Sequence, residues 1–347
     1  MKSFYKEKKF YISAIIITLL IVLRVFLPQI LLHEANKYLS TFSPTYYMHM
    51  EDLDISLLGG SYRFEEITGK LKGDEKTFLK ISSVSVSIAW RHLFHGKIVT
   101  DIETKNVDFL FLKDMSKLSV PKKDATDVKE TLFPVKVESV DLRNARIVFE
   151  EYPSLSDESR LKIEKINGRV TNLTPDENNK ISNFNLGASI QGSSELIFIG
   201  SLNLMKRPVL WDVDVEMKDF NLSSLNAVLK RNLPLTFTKG HMDLFAEAQN
   251  DSSGKMKGYI KPFLRDVDVI ANKEHFVGIK HFFIEIFMAM GNVILRDSKT
   301  NTIATYVDFN YDGKFNINTG QGIENLIANG FKEKIKPEIE DKYKIKE

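Results

Sequence analysis

The sequence predicts a mainly β protein of the α+β class, hung from one N-terminal transmembrane helix. Three observations carry this. A charge-free apolar run, Phe10 to Leu23, follows Lys2, Lys6, Lys8 and Lys9. From Tyr47 onward apolar and polar residues alternate with period two, the pattern of strands with one buried and one wet face. Helical periodicity is confined to a few short stretches.

The basic run before the apolar one predicts a cytoplasmic N-terminus, residues 1–9, and an anchor over residues 10–32. The uninterrupted run is shorter than the ~20 residues that span a bilayer, but Val25, Phe26, Leu27, Ile30, Leu31 and Leu32 extend it past Arg24. Arg24 can reach back to head groups on the far side. A cleaved signal peptide would need a small-x-small cleavage site, and Arg24 and Pro28 stand where one would fall, which favours an uncleaved anchor. Leu31, Leu32, Ala35, Tyr38 and Leu39 keep a helical spacing, so the helix is expected to run on and dock against the domain.

Strands follow. Trp211, Val213, Val215 and Met217 alternate with Asp212, Asp214 and Glu216. Val84, Val86, Ile88 and Trp90 alternate with Ser83, Ser85, Ser87 and Ala89, and Ile303, Val307, Phe309 and Tyr311 repeat the theme. Further strands are expected near residues 48–57, 61–71, 97–113, 135–150, 161–173, 181–190, 195–205, 235–249 and 257–270. Residues 114–133, rich in Lys, Asp and Thr with Pro121, read as a linker between an N-terminal β unit, 33–113, and a C-terminal β unit, 134–347. Helices are expected over 221–232, capped by Asn221 or Ser223, over 276–290, and at the C-terminus, where Ile323, Leu326, Ile327, Phe331, Ile335 and Ile339 form a stripe that Pro337 should kink or shorten. So few helices cannot cover a dozen strands. The sheet therefore either closes on itself or curls into a groove whose apolar lining takes a ligand or partner.

Composition narrows the functions. The 347 residues carry 48 basic and 46 acidic side chains, a net charge of +2, which gives a nucleic acid no electrostatic footprint. The absence of cysteine excludes thiolate metal sites and cysteine nucleophiles. Only His92 and His95, among seven scattered histidines, are spaced for one helical face, and no carboxylate pattern completes a metal site. There is no phosphate-cradling glycine loop and no Gly-x-Ser-x-Gly elbow. Adjacent acidic pairs such as Glu65–Glu66 and Glu150–Glu151 point to opposite faces of a strand. The alternating Lys and Glu near the C-terminus read as a solvated helix. No catalytic, cofactor or metal residues are assigned, and the protein is expected not to be an enzyme.

Five segments stand out in order along the chain: the membrane exit Leu23-Arg24-Val25-Phe26-Leu27-Pro28, the turn Leu57-Leu58-Gly59-Gly60-Ser61-Tyr62, the turn Ser87-Ile88-Ala89-Trp90-Arg91-His92-Leu93-Phe94-His95-Gly96, the step Gly258-Tyr259-Ile260-Lys261-Pro262-Phe263, and the close Ile327-Ala328-Asn329-Gly330-Phe331 with Ile335-Lys336-Pro337. Together they resemble the AsmA-like superfamily, in particular the branch described as domain of unknown function 748. Gly330 departs from the alanine expected there, and residues 114–250 match only in strand pattern. The resemblance implies a single-pass inner-membrane anchor, a periplasmic domain and a long, curled antiparallel β-groove or taco of the kind that handles lipids in envelope or outer-membrane biogenesis. The partner so implied is a membrane phospholipid or glycolipid, and the lining expected from the alternation is Leu196, Phe198, Leu202, Leu204, Trp211, Val213 and Val215. The alternative is a non-enzymatic scaffold or assembly factor for outer-membrane proteins, with an envelope protein as partner.

Overall fold

A computed structural model describes residues 2–41, 43–56, 59–73, 76–88, 98–112, 135–150, 160–174, 180–229, 235–271, 295–297, 302–304, 306–312, 315–318 and 336–345. The protein is mainly β, with fifteen strands among the described residues. It divides into two compact units with a boundary near residues 110–137.

The first unit holds helix α1, Lys2–Thr41, and four strands: β1 (Tyr46–Ser56), β2 (Ser61–Leu71), β3 (Thr77–Ile88) and β4 (Ile98–Leu112). Each strand pairs antiparallel with the next. Alternation buries one face, with Met50, Leu53, Ile55, Ile67, Phe78 and Val99 inside. The Phe78 ring sits edge-to-face between Tyr46, at 5.8 Å, and Phe109, at 6.2 Å, an arrangement the ring quadrupole favours. The C-terminal part of α1 packs on β1. Its Asn36 amide donates to the Met50 carbonyl and accepts the Met50 N–H, both at 2.8 Å, so one side chain stands in for the peptide group of a neighbouring strand.

Further up α1, Tyr11, Ile12, Ile15, Leu19, Ile21 and Val22 are exposed. Among the described residues no helix is long and apolar enough to cross a membrane. The side chains at 10, 13, 14, 16, 17, 20 and 23 of the apolar run fall outside those residues.

The second unit is a meander. β5 (Val135–Glu150), β6 (Leu161–Thr171), β7 (Ser182–Ile190), β8 (Ser194–Asn203), β9 (Leu210–Asn221), β10 (Leu235–Asn250) and β11 (Met256–Ala271) pair in chain order, all antiparallel. The far side of β11 is shared. β14 (Val307–Tyr311) pairs with residues 256–260 and continues into β15 (Phe315–Asn318), while β13 (Thr302–Ala304) pairs with residues 263–265 and continues into β12 (Leu295–Asp297). Pro262, which has no N–H to give, falls in the gap between these two ladders. The sheet is not closed.

Register shifts interrupt β5/β6, β6/β7, β9/β10 and β10/β11. At or beside them Asn144, Lys165, Asp219 and Asp266 take positive φ of 50–57°, and Gly240 takes 138°. Bulges increase local twist and bend the strand that carries them, so these positions curve the sheet. Asn and Asp serve because their short polar side chains tolerate the left-handed region.

The short helical segment after β9 forms where expected. Asn221 caps it, accepting from the Ser223 N–H at 3.0 Å, and a 3₁₀ turn, Leu222–Leu225, leads into one turn of helix α2, Asn226–Leu229. The single strand expected over 303–311 is instead two, β13 and β14. The three- and four-residue strands β12 and β15 were not expected.

The C-terminal helix requires correction. Residues 336–345 are not helical and run as an extended strap across the second unit. Pro337 cannot donate, and the Glu247 carboxylate takes the N–H groups of Glu340, Lys342 and Tyr343, which a helix would have sent to its own carbonyls. The stripe from Ile323 to Ile335, the helix over 276–290, the linker 114–133 and the pair His92–His95 lie outside the described residues.

Gly200 gives this packing a direct test. A Cβ there would meet the backbone carbonyl of Asp212 and, at 2.5 Å, the Phe184 ring that lies across it. Gly200→Ala is expected to destabilise the domain by about 2–3 kcal/mol in denaturant unfolding, whereas Gly187→Ala, where nothing lies within 4 Å, should leave the midpoint nearly unchanged.

Candidate functional site

Antiparallel pairing places directly opposed residues on the same face, so the register sorts the second unit into apolar and polar rows. One row crosses eight strands as Val140, Val170, Phe184, Gly200, Val213, Ala248, Gly258 and Phe309. A second runs beside it as Leu142, Gly168, Leu186, Phe198, Val215, Ala246, Ile260 and Val307. Neither contains a polar side chain. At ~4.8 Å between strands, seven spacings make each row about 30 Å long.

The two rows that back them on the opposite face are mostly polar. Ser139, Thr171, Asn183, Ser201, Asp212, Gln249, Lys257 and Asn310 form one row, and Asp141, Arg169, Asn185, Ile199, Asp214, Glu247, Tyr259 and Asp308 another, with Ile199 its one aliphatic member. Neighbours within these rows are bonded. Arg169 grips Asp141 with two hydrogen bonds of 2.7 Å, which hold the Asp141 carboxyl below the usual range, and Ser201 donates to Asn183 at 3.2 Å.

Six of the seven residues expected to line a groove share the apolar face. Leu196 is opposite Met217, Phe198 opposite Val215, and Leu202 opposite Trp211, while Val213 faces Gly200. Leu204 does not join them: β8 ends at Asn203 and Leu204 sits in the turn to β9. Leu196 is buried, while Phe198, Leu202, Trp211, Val213 and Val215 are half-buried. Among the described residues β8 packs chiefly against β7 and β9, and β9 against β8 and β10, so their apolar side chains are shielded mainly by their own neighbours in the sheet.

The polar face carries a feature that sequence reading missed. Glu247, Tyr259 and Lys261 are each 1% exposed or less, and they hold the strap 336–345 by its backbone. Glu247 accepts from Glu340 and Lys342 at 2.7 Å and from Tyr343 at 3.0 Å, and the Tyr259 hydroxyl donates to it at 2.5 Å while accepting from the Glu340 N–H at 2.9 Å. Lys261 donates to the Lys336 carbonyl at 3.2 Å and pairs with the Glu340 carboxylate at 3.0 Å. Burial, with the Glu247 charge beside it, pushes the Tyr259 phenol up, so Tyr259 stays protonated and keeps its donor role. Side chains add to the grip. Ile339 packs against Phe245, Phe263 and Ala304, the Tyr343 ring lies 6.2 Å from that of Tyr259, and Lys342 reaches the Tyr306 hydroxyl at 3.1 Å. Lys342 and Glu340, expected on a solvated helix, thus make specific contacts. The only trace in the sequence was the Gly258–Phe263 step, which carries Tyr259 and Lys261 without showing what they hold.

Asp214 stands beneath the strap between Glu247, to which it is paired in register, and Asp212. Burial raises its carboxyl to about 6 from an ordinary 3.8, helped by the charges of Glu247, Asp212 and Asp341 and opposed by Lys344. A pKa raised in the folded state contributes stability that is complete below the unfolded value and is lost as pH rises through the folded one. The chain should therefore lose stability between about pH 4 and 7 on this account. Asp214→Asn is expected to remove that slope and to stabilise the domain above pH 7 by about 1 kcal/mol, the two-unit shift being discounted for the group's solvent exposure. Thermal unfolding of both chains from pH 4.5 to 8 measures the difference.

No family model matches the chain, and no curated protein matches it.

Proposed function

We propose that the chain is a membrane-anchored, non-enzymatic protein of the AsmA-like type whose second unit binds acyl chains of a phospholipid or glycolipid along its apolar face. The observation that carries this reading is the pair of unbroken apolar rows, about 30 Å long, on a sheet that does not close on itself. Burying a methylene contributes about 0.8 kcal/mol, so a chain of a dozen or more carbons gains ample binding energy from contact with even one row. Phe198, Trp211, Val213 and Val215 form the middle of the track, and curvature at the bulges would wrap the sheet around its occupant.

The anchor is part of the same proposal. The exposed Ile and Leu side chains of α1 suit a bilayer, the lysines before Phe10 favour a cytoplasmic N-terminus, and the folded units would then stand in the periplasm of a two-membrane envelope. Docking of Asn36 on β1 ties that helix to the first unit without a free linker.

Photo-crosslinking tests the track in the full-length protein. Benzoylphenylalanine at Phe198, Val213 or Val215 is expected to give adducts whose mass spectra contain a lipid, while the same probe at Asn183 or Asn185, on the polar face, gives none. Lipid adducts equally frequent from both faces, or protein adducts alone from the apolar face, would replace lipid binding with the scaffold function. In cells that depend on the protein, Val215→Lys should abolish function while leaving the amount of protein within about twofold.

A further inference from the structure

The strap is held as peptide ligands are held. It joins no ladder, most of its side chains are exposed, and the groups that fix it come from β9, β10, β11 and β14. Glu247 and Tyr259 between them take the N–H groups of residues 340, 342 and 343, Asp212 takes that of Ile345, and Lys261 takes the carbonyl of Lys336. These contacts are to the main chain. Identity is read at three points: Ile339 against Phe245 and Phe263, Glu340 by Lys261, and Tyr343 between the Tyr259 ring and the ammonium of Lys257, 5.7 Å from its centroid.

A buried carboxylate and a buried ammonium are costly unless each is fully paired. Glu247 and Lys261 are diagonal neighbours on adjacent strands, two strand residues apart in register, since Glu247 opposes Tyr259 and Lys261 opposes Phe245. No hydrogen bond or ion pair joins them in the structure. Glu247 is completed by strap N–H groups and Tyr259, and Lys261 by strap oxygens, with the Tyr259 ring 5.4 Å from its ammonium. The strap thus meets the polar needs of two buried charges whose partners elsewhere in the sheet are few.

We propose that Glu247, Tyr259 and Lys261 form a peptide-binding seat that the strap occupies reversibly, so that an extended segment of the same chemistry, an apolar residue followed by an acidic one and three positions later an aromatic one, competes for it in trans. The seat lies on the face opposite the apolar rows and is independent of whether those rows bind lipid. A tethered segment reaches its site at an effective concentration on the order of millimolar. The parent chain therefore resists the competitor, and weakening the tethered strap strengthens capture of the free peptide in proportion.

The test uses the full-length chain in nanodiscs and a fluorescein-labelled peptide of residues 336–347, followed by fluorescence anisotropy. Tyr343→Ala in the chain, with the peptide unchanged, is expected to tighten peptide binding about tenfold over the parent. Adding Glu247→Gln to that variant should reverse the gain by tenfold or more. In the parent, hydrogen exchange at the amides of 340, 342 and 343 should be faster than at their counterparts in β10 and β11, and saturating peptide should speed it further. Equal peptide affinity for parent and Tyr343→Ala chains, affinity indifferent to Glu247→Gln, or strap amides that open only with the whole sheet would each overturn the proposal. So would loss of the β signal in circular dichroism on Tyr343→Ala, which would make the strap a piece of the fold rather than its ligand.

Discussion

Register is the constraint on which the second unit depends. Side chains in a strand alternate strictly, so a slip of one residue at any ladder would carry every apolar side chain beyond it to the polar face. The rows through Val213 and Val215 stay apolar across eight strands only because each ladder preserves phase. The bulges test this hardest. The shift in β9, at Lys218 and Asp219, returns Phe220 opposite Met242, so both sides of the bulge keep large apolar residues in matching positions. Phe220 is 1% exposed, which shows the phase to be restored rather than lost.

Open edges and ends of strands pose a second problem, that of peptide groups left without a neighbour. The chain solves it repeatedly with asparagine. Asn36 serves Met50, Asn226 both donates to and accepts from Phe237, and Asn250 accepts from Trp211 while donating to the Val209 carbonyl. A primary amide offers the same donor and acceptor as a peptide group at similar separation, so it extends a ladder by one rung where the main chain turns away.

Strand positions were legible because period two is a local signal. The expected 61–71 and 135–150 match β2 and β5 in full, and the Trp211 alternation placed six of the seven expected lining residues on one face. Leu204 was misplaced because alternation does not mark where a strand ends, and Asn203, whose side chain accepts from Met205 N–H, turns the chain just before the pattern would have continued. The strap was not legible at all. Its residue Ile339 fits the helical stripe of the sequence, and what overrules that preference in the strap is Glu247, some ninety positions earlier. A carboxylate that binds main-chain N–H groups leaves no pattern in the segment it binds.

The nearest-neighbour pairing of the second unit makes it a kind of adjustable ruler. Among the described residues every strand from β6 to β10 pairs only with the one before and the one after it in the sheet, so the apolar rows have no built-in length. Inserting one more hairpin among β5 to β8, in phase and away from the strands that hold the strap, would lengthen both rows by about 10 Å and disturb only the two strands it separates. The span of such a surface can therefore be set by duplication of a short piece of sequence, without redesign of a core.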